Sequence, residues 1–403
     1  MTDRLEADVL ILGAGPAGSS AAAITAAAGL RTILIDREVF PRDKVCGDAL
    51  IPDALEAIRE LGLEGKVAAA AKEVRGFRIY APDGTFVSLN GTCACIPRRD
   101  LDQILRSHAV AAGAEFMAPL SVLDVLGNEP VEGAVLEGPT KGPTKVRVSI
   151  PARVTILATG APVEALTRLK VVTRTQPSAV AMRAYFELPA TLADSLDYLV
   201  FSYDRAIMPG YGWIFPGPRN IFNVGIGCFL DSATPKPDLQ KVWQRFVSAF
   251  PLATAIVRDA KQLSPLKGAP LRTTLSGSVL HRPGLLVAGE AAGTTYAFSG
   301  EGIGKAMASG VLAGQKAVAL FNGDLGIREL GPAYELELKR FAPRFEAYAM
   351  AQRWLRSAAF ANFLAARARR SRFVKAELEG LFNETSDPKT LFSVSGVMRS
   401  VFQ

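Results

Sequence analysis

The residues best able to do chemistry fall in four short stretches. The first is Gly13-Ala14-Gly15-Pro16-Ala17-Gly18, followed after an alanine-rich run by Asp36. Gly13 permits a tight turn, Gly15 lets the backbone approach a pyrophosphate, and Gly18 lets a helix pack closely on the preceding strand. The diphosphate would rest on unpaired N–H groups at the helix start, and Asp36 stands where it can accept hydrogen bonds from a ribose. The second stretch, Arg42 to Ala49, brings two cations able to pair with phosphate (Arg42, Lys44) and a thiol beside a glycine (Cys46-Gly47). The third holds Tyr211, Trp213 and Phe215, which at a spacing of two share one face of a strand. They read either as a wall for an apolar substrate or as ordinary sheet packing. The fourth runs from Gly289-Glu290 to Gly300-Glu301-Gly302-Ile303-Gly304 and opens a long helix.

Composition narrows the chemistry further. The chain has 403 residues, 49% of them hydrophobic, enough for a large core and for more than one domain. A net charge of +7 over this length is a modest excess, and no basic face interleaved with aromatics marks a nucleic-acid site. The four cysteines, Cys46, Cys93, Cys95 and Cys228, contain no zinc-like CxxC pair. Cys93 and Cys95 read as small buried side chains on one face of a strand. With only His108, in a predicted helix, and His281, at a turn, a Ser/His/Asp hydrolase or a histidine metal centre is excluded, and no metal is expected. The uncharged run Val9–Leu30 is mostly Ala and Gly, too weakly hydrophobic for a membrane span. No basic stretch precedes it, so no signal peptide is read, and a reducing cytoplasm with free thiols is expected.

The positioning elements follow from pattern. Val9–Leu12 and Thr32–Ile35 read as strands flanking a helix. Arg37 to Leu50 reads as a loop leading into a helix over Pro52–Leu61. Phe77–Tyr80 and Thr85–Leu89 form a hairpin around Pro82-Asp83-Gly84, and Ile96–Asp102 opens a helix that runs to about Ala112. Val122–Val125, Val131–Leu136 and Val154–Leu157 are strands, with a turn cluster at Gly138–Pro143. From Pro177 to Leu230 the pattern alternates, as in an antiparallel sheet. Asp238 starts a helix to Phe250. The tail Pro343–Phe382 is helical, with an apolar set (Trp354, Leu355, Phe360, Phe363, Leu364) followed by Arg367, Arg369, Arg370, Arg372 and Lys375.

The stretch Pro41-Arg42-Asp43-Lys44-Val45-Cys46-Gly47-Asp48, after such a glycine turn, resembles the "PRxKxCG" segment of the geranylgeranyl reductase family, flavoproteins of the p-hydroxybenzoate hydroxylase-like superfamily. Further segments resemble the same family. They are Arg98 with Leu101-Asp102, Ala158-Thr159-Gly160, the Tyr211-x-Trp213-x-Phe215-Pro216 strand with Val224-Gly225-x-Gly227, and Gly289-Glu290 with Gly300-Glu301-Gly302-Ile303. Glu290 stands where the family usually has Asp. The resemblance implies an α/β fold: a Rossmann-like FAD-binding domain, an antiparallel-sheet substrate domain and a C-terminal helical region. It implies FAD, contacted by Gly13, Gly15, Ala17, Gly18, Asp36, Arg37, Arg42, Cys46, Gly47, Ala49, Arg98, Val122, Glu290, Gly302 and Ile303. For Arg98, a helix-start pair with Asp102 is the competing reading. Catalytic or cavity-wall roles fall to Cys46, Tyr211 and Trp213.

The expected division is 1–75, 96–175 and 276–325 for the cofactor domain, 76–95 and 176–275 for the substrate sheet, and 326–403 for the helical tail. No second dinucleotide turn is present, so NAD(P)H or another external reductant would visit. The expected activity is reduction of carbon–carbon double bonds in an isoprenoid or other apolar substrate. Two further readings stay open: a monooxygenase or halogenase on the same fold, and a non-catalytic flavin protein. The halogenase lysine cannot be placed securely at Lys66 or Lys72. The apolar set beside the basic cluster reads either as a helix packed on the domain with a solvated basic face, or as peripheral contact with the inner membrane surface through the tail. Gly15→Val should yield colourless apoprotein; yellow protein with full flavin content, measured by absorbance, would refute the turn assignment.

Overall fold

The computed structural model describes residues 5–140, 145–230 and 236–402. Two sheets organise it. The Ala7–Leu12 strand lies at the centre of the first, parallel to Thr32–Ile35 on one side and to Lys145–Leu157 on the other. Glu115–Met117 and Leu285–Val287 extend the parallel array outward, and His281–Arg282 closes one edge antiparallel. Parallel strands with both faces covered need near-continuous apolar runs, and Val9, Leu10, Ile11 and Leu12 are all fully buried. A hairpin of Ser121–Gly127 and Val131–Pro139 adds to the Lys145–Leu157 strand. Part of the expected Gly138–Pro143 turn, residues 141–144, lies outside the described residues; Gly138 and Pro139 are still paired in the strand.

The second sheet is antiparallel except at one junction. Its central order is Ala179–Glu187, Ile221–Phe229, Gly210–Pro216, Leu199–Ser202, Lys72–Tyr80 and Phe86–Cys95, with Leu199–Ser202 parallel to Lys72–Tyr80. The hairpin read near Phe77 is therefore longer than expected and belongs to this sheet. Two local readings change. Ala49–Leu50, read as loop, pairs with Ala94 and Cys95 at the sheet edge, because the buried Leu50 can reach the core only there. His281, read as a turn residue, opens a short strand and places Nε2 2.9 Å from the Glu335 carboxylate.

Helices cover both sheets. Pro16–Ala27 and the long Ile303–Asn322 helix lie together against the parallel sheet, their contact made by Ala17, Ala21, Gly310, Ala313 and Gly314. A Cβ on Gly310 would sit 2.0 Å from the Ala17 carbonyl oxygen, so only glycine allows this approach. Asp238 caps Leu239–Ala249, accepting from the Gln240 and Lys241 N–H groups. The tail folds into four helices: Ala342–Trp354, Ala358–Ala368, Arg372–Phe382 and Val394–Phe402. Its apolar set turns largely inward. Leu364 is buried, Trp354, Leu355 and Phe360 pack on the core, and Phe382 stacks 4.6 Å from Phe77 of the antiparallel sheet.

On the far face of that sheet, Phe246 is fully buried and fills the space over Gly212, where a Cβ would lie 2.2 Å from its ring. Phe246→Ala should cost about 3–5 kcal/mol through the cavity it leaves. Denaturant titration would show this as a lower midpoint, with flavin content kept because Phe246 lies behind the sheet and does not line the cavity.

Candidate active site

A cavity of about 700 Å³ opens between the two sheets. The glycine turn, Asp36 and the Arg37–Ala49 loop line it from the parallel sheet. Phe201, Tyr211, Trp213, Phe215 and Phe229 line it from the antiparallel one, and Glu290, after the Leu285–Val287 strand, and Gly300–Ile303, at the start of the long helix, close it. Cys46, Tyr211 and Trp213 are on its wall. So are the expected cofactor residues other than Gly18. Gly18 lies beneath the turn, where a Cβ would strike the Gly13 carbonyl oxygen at 1.7 Å. Its part is to let helix and strand close up, which indirectly shapes the cradle.

Local chemistry explains the cradle. Gly13 has φ +110°, and a Cβ there would lie 2.4 Å from the Ala158 carbonyl oxygen. Over Gly15, by contrast, a Cβ would find only an Arg42 nitrogen at 3.8 Å, so the turn faces open space. Asp36 holds the turn by accepting the Ala14 N–H at 2.9 Å through one oxygen and the Glu38 N–H at 2.9 Å through the other. Each oxygen keeps a further acceptor site for a ribose hydroxyl. Arg98 does what its competing reading said: it grips Asp102 through two bonds of 2.7 and 2.8 Å, while Arg42 approaches the same carboxylate at 2.9 Å. It also lines the cavity. A clear backbone cradle, a helix N-terminus and an acid at the second strand fit the adenosine diphosphate end of FAD. The Glu290 carboxylate and the Gly302 N-cap of the long helix fit its ribityl and ring end.

The aromatic wall is tied to this cradle by hydrogen bonds. Tyr211, Trp213 and Phe215 do share one face, with ring centroids 6.1 and 6.2 Å apart. Tyr211 donates its hydroxyl to the Ser299 carbonyl at 2.7 Å, just before the long helix. Trp213 Nε1 donates to the Asn223 side-chain oxygen at 2.9 Å. The Asn223 amide in turn donates to the Cys46 carbonyl and to Asp48, each at 2.7 Å. Burial pushes the Cys46 thiol up from its ordinary range, so it stays protonated near neutrality.

Sequence reasoning missed the polar residues of this wall. Asp48, buried and lining the cavity, also accepts the Tyr185 hydroxyl at 2.6 Å and the Arg98 N–H at 3.2 Å. Burial raises its carboxyl to about 6, against the opposing pull of Tyr185 and Asn223. Arg183, fully buried, bonds Asp43 at 2.5 Å and lies 4.2 Å from the centre of the Tyr185 ring. Strand parity carried a signal: Ala181, Arg183 and Tyr185 alternate on one face. On the other side of the cavity, burial and the neighbouring Asp53 raise Glu301 to about 8. Asp53, Glu301 and Glu384 come close enough to share a cation, and Lys305 already sits among them. Neither Lys66, exposed, nor Lys72, whose amine lies 5.5 Å from the Phe222 ring centre, lines the cavity. That removes the halogenase placement at those two lysines.

The FAD binding domain family model matches residues 6–347. A menaquinone reductase of Mycolicibacterium smegmatis is 30% identical over 332 residues, covering 77% of this chain and 76% of that one. A digeranylgeranylglycerophospholipid reductase of Methanothrix thermoacetophila is 29% identical over 344 residues, 82% of each chain. Among solved structures, a geranylgeranyl bacteriochlorophyll reductase-like protein of Thermoplasma acidophilum shares the fold, with a TM-score of 0.77, 23% identity and coverage of 99% and 96%.

The raised Cys46 thiol predicts slow alkylation at pH 7, accelerating only above the ordinary thiol range. Mass spectrometry of iodoacetamide-treated protein across pH would check this, and rapid labelling of Cys46 at pH 7 would contradict it.

Proposed function

The chain belongs to the FAD binding domain family and is an FAD-dependent oxidoreductase, and from there we propose that it reduces a carbon–carbon double bond in an isoprenoid chain carried by a lipid or a quinone. One observation carries this reading. The cradle that fits FAD opens directly onto a wall of Phe201, Tyr211, Trp213, Phe215 and Phe229, with Phe382 from the tail at its edge. That surface is apolar and large enough to desolvate a chain. The two relatives are named for a menaquinone and a digeranylgeranylglycerophospholipid, both of which carry unsaturated isoprenoid chains.

Reduced FAD supplies a hydride at its ring. The residues around it bind and orient. Gly15 and the start of the Pro16–Ala27 helix would take the diphosphate, Asp36 the ribose, and Glu290 the ribityl chain. The Gly302–Ile303 helix start would stabilise negative charge on the ring. Cys46 and Gly47 hold the ring edge, Gly47 being pressed against Phe215, where a Cβ would lie 2.9 Å from the ring. Tyr211 and Trp213 wall the substrate and exclude water. The electrons would come from an external donor such as NAD(P)H, since the chain carries no second dinucleotide turn.

Among the described residues no helix is long and apolar enough to cross a membrane. Access to a lipid-borne chain would come through peripheral contact. Arg369, Arg370 and Arg372 are exposed, and Arg367 bonds the Ser400 carbonyl of the last helix, whose Val394 and Met398 are 70% and 59% exposed.

Photoreduced, anaerobic holoprotein mixed with an unsaturated isoprenoid lipid or menaquinone should return to oxidised flavin as the chain gains two hydrogen atoms. Absorbance and mass spectrometry report both. Flavin that stays reduced, or a quinone reduced only at its ring, would refute the proposal.

A further inference from the structure

We propose that Asp48, refilled through the Tyr185 hydroxyl, supplies the proton that completes double-bond reduction, an assignment that rests on the reductase reading above. Hydride addition to an unactivated double bond leaves the second carbon short of a proton, and a water-poor cavity cannot supply one freely. The wall must provide it. The cavity-lining groups able to hold a transferable proton include Cys46, Asp48, Tyr211 and Glu301.

Geometry separates them. The Tyr211 proton is committed to the Ser299 carbonyl at 2.7 Å. The Cys46 sulfur accepts the Asp48 N–H at 3.4 Å and is held as a thiol by burial. Glu301 faces Lys305 at 3.6 Å and the Gly304 N–H at 3.0 Å, inside a closed set: the side chains of Asp53, Glu301, Lys305 and Glu384 are at most 17% exposed. A proton lost there has no ready return. Of these four, Asp48 is the one that joins the cavity to a half-buried hydroxyl, that of Tyr185, 2.6 Å away. The chain also keeps a carboxylate at this point against its backbone preference. Asp48 has φ +67°, a conformation that glycine adopts at lower cost.

The groups around it set the charge. From its own loop Asp48 faces Cys46, and beyond it Asp43 and Lys44. The strand Ala179–Glu187 brings Arg183 and Tyr185. The helix starting at Arg98 brings the Arg98 N–H and its paired guanidinium, and the Phe86–Cys95 strand brings Cys95. Burial outweighs the neighbouring Arg183 and the donors, leaving the carboxyl near 6. It is thus partly protonated close to neutral pH, as a general acid requires.

The step balances. The hydride, drawn from reduced flavin, brings an electron pair to one alkene carbon. The π pair forms the second C–H bond with the Asp48 proton, leaving a carboxylate. The Tyr185 hydroxyl hands its proton to that carboxylate as it takes another from solvent water, so no phenolate forms; burial beside Asp48 holds the phenol well above its ordinary range.

The test uses wild-type, Asp48→Asn, Tyr185→Phe and Glu301→Gln holoproteins, followed by single-turnover flavin reoxidation across pH. The active form is the acid, so the wild-type rate should fall as pH rises through about 6. Asp48→Asn should lose about 100-fold or more of this rate with flavin still bound. Tyr185→Phe removes a donor that stabilises the carboxylate, so the falling limb should move to higher pH, a shift that a merely structural role would not produce. Carbon-13 NMR of carboxyl-labelled aspartate should show one carboxyl titrating near 6, absent in Asp48→Asn and moved upward in Tyr185→Phe. An Asp48→Asn rate equal to wild type, an unmoved limb in Tyr185→Phe, or loss of the limb in Glu301→Gln would overturn the assignment while leaving the reductase intact. A wild-type protein that reduces no chain at any pH would sink the reductase reading itself.

Discussion

The structure depends on how closely two backbones can approach. The Pro16–Ala27 and Ile303–Asn322 helices come from opposite ends of the chain, yet both must place an N-terminus at one cavity. They meet through Ala17 and Gly310 with no bulky side chain between them. Gly289, at the end of the Leu285–Val287 strand, is pressed on the same alanine, where a Cβ would lie 2.8 Å from the Ala17 Cβ. Small residues here have little to do with flexibility. They set a distance, and the distance brings two positive helix ends to one anionic cofactor.

A second constraint is polar. The antiparallel sheet must face the cofactor loop without drifting from it, and apolar packing alone is non-directional. Asn223 solves this by donating to both the Cys46 carbonyl and Asp48 while accepting from Trp213. One amide therefore fixes the thiol loop, the carboxylate and the indole relative to one another. Leaving any of these buried groups unpaired would cost about 1–3 kcal/mol, which ties the wall to the cradle. Tyr211 makes a second such tie at Ser299.

Much of this was legible in the residues. The glycine turn, its flanking strands and Asp36 are local in sequence, and their spacing carries a mechanism. The shared face of Tyr211, Trp213 and Phe215 follows from strand parity alone. The Arg98–Asp102 pair was visible as an i,i+4 neighbour on a helix. What escaped notice was non-local. Asp48 stood in plain view beside Cys46-Gly47, but nothing in the sequence says that Tyr185 and Asn223, more than 130 residues on, converge on it. The tail held one reading of its own: a helix packed on the domain with its basic face outward, and Leu364, Trp354, Leu355 and Phe360 do pack on the core. The two-residue strand at Ala49–Leu50 was likewise hidden, since its partner lies across the fold.

Which ligand binds was readable from residues close together in the chain. Turn geometry, helix starts and a ribose-facing acid are dictated by neighbouring residues, and their physics is complete within about 30 residues. Tertiary structure alone decided what the cavity can do. Burial turns an ordinary aspartate into an acid near 6, and pairing commits one tyrosine while leaving another half open to solvent. Those properties arise from desolvation and from contacts between distant strands, which no local pattern encodes.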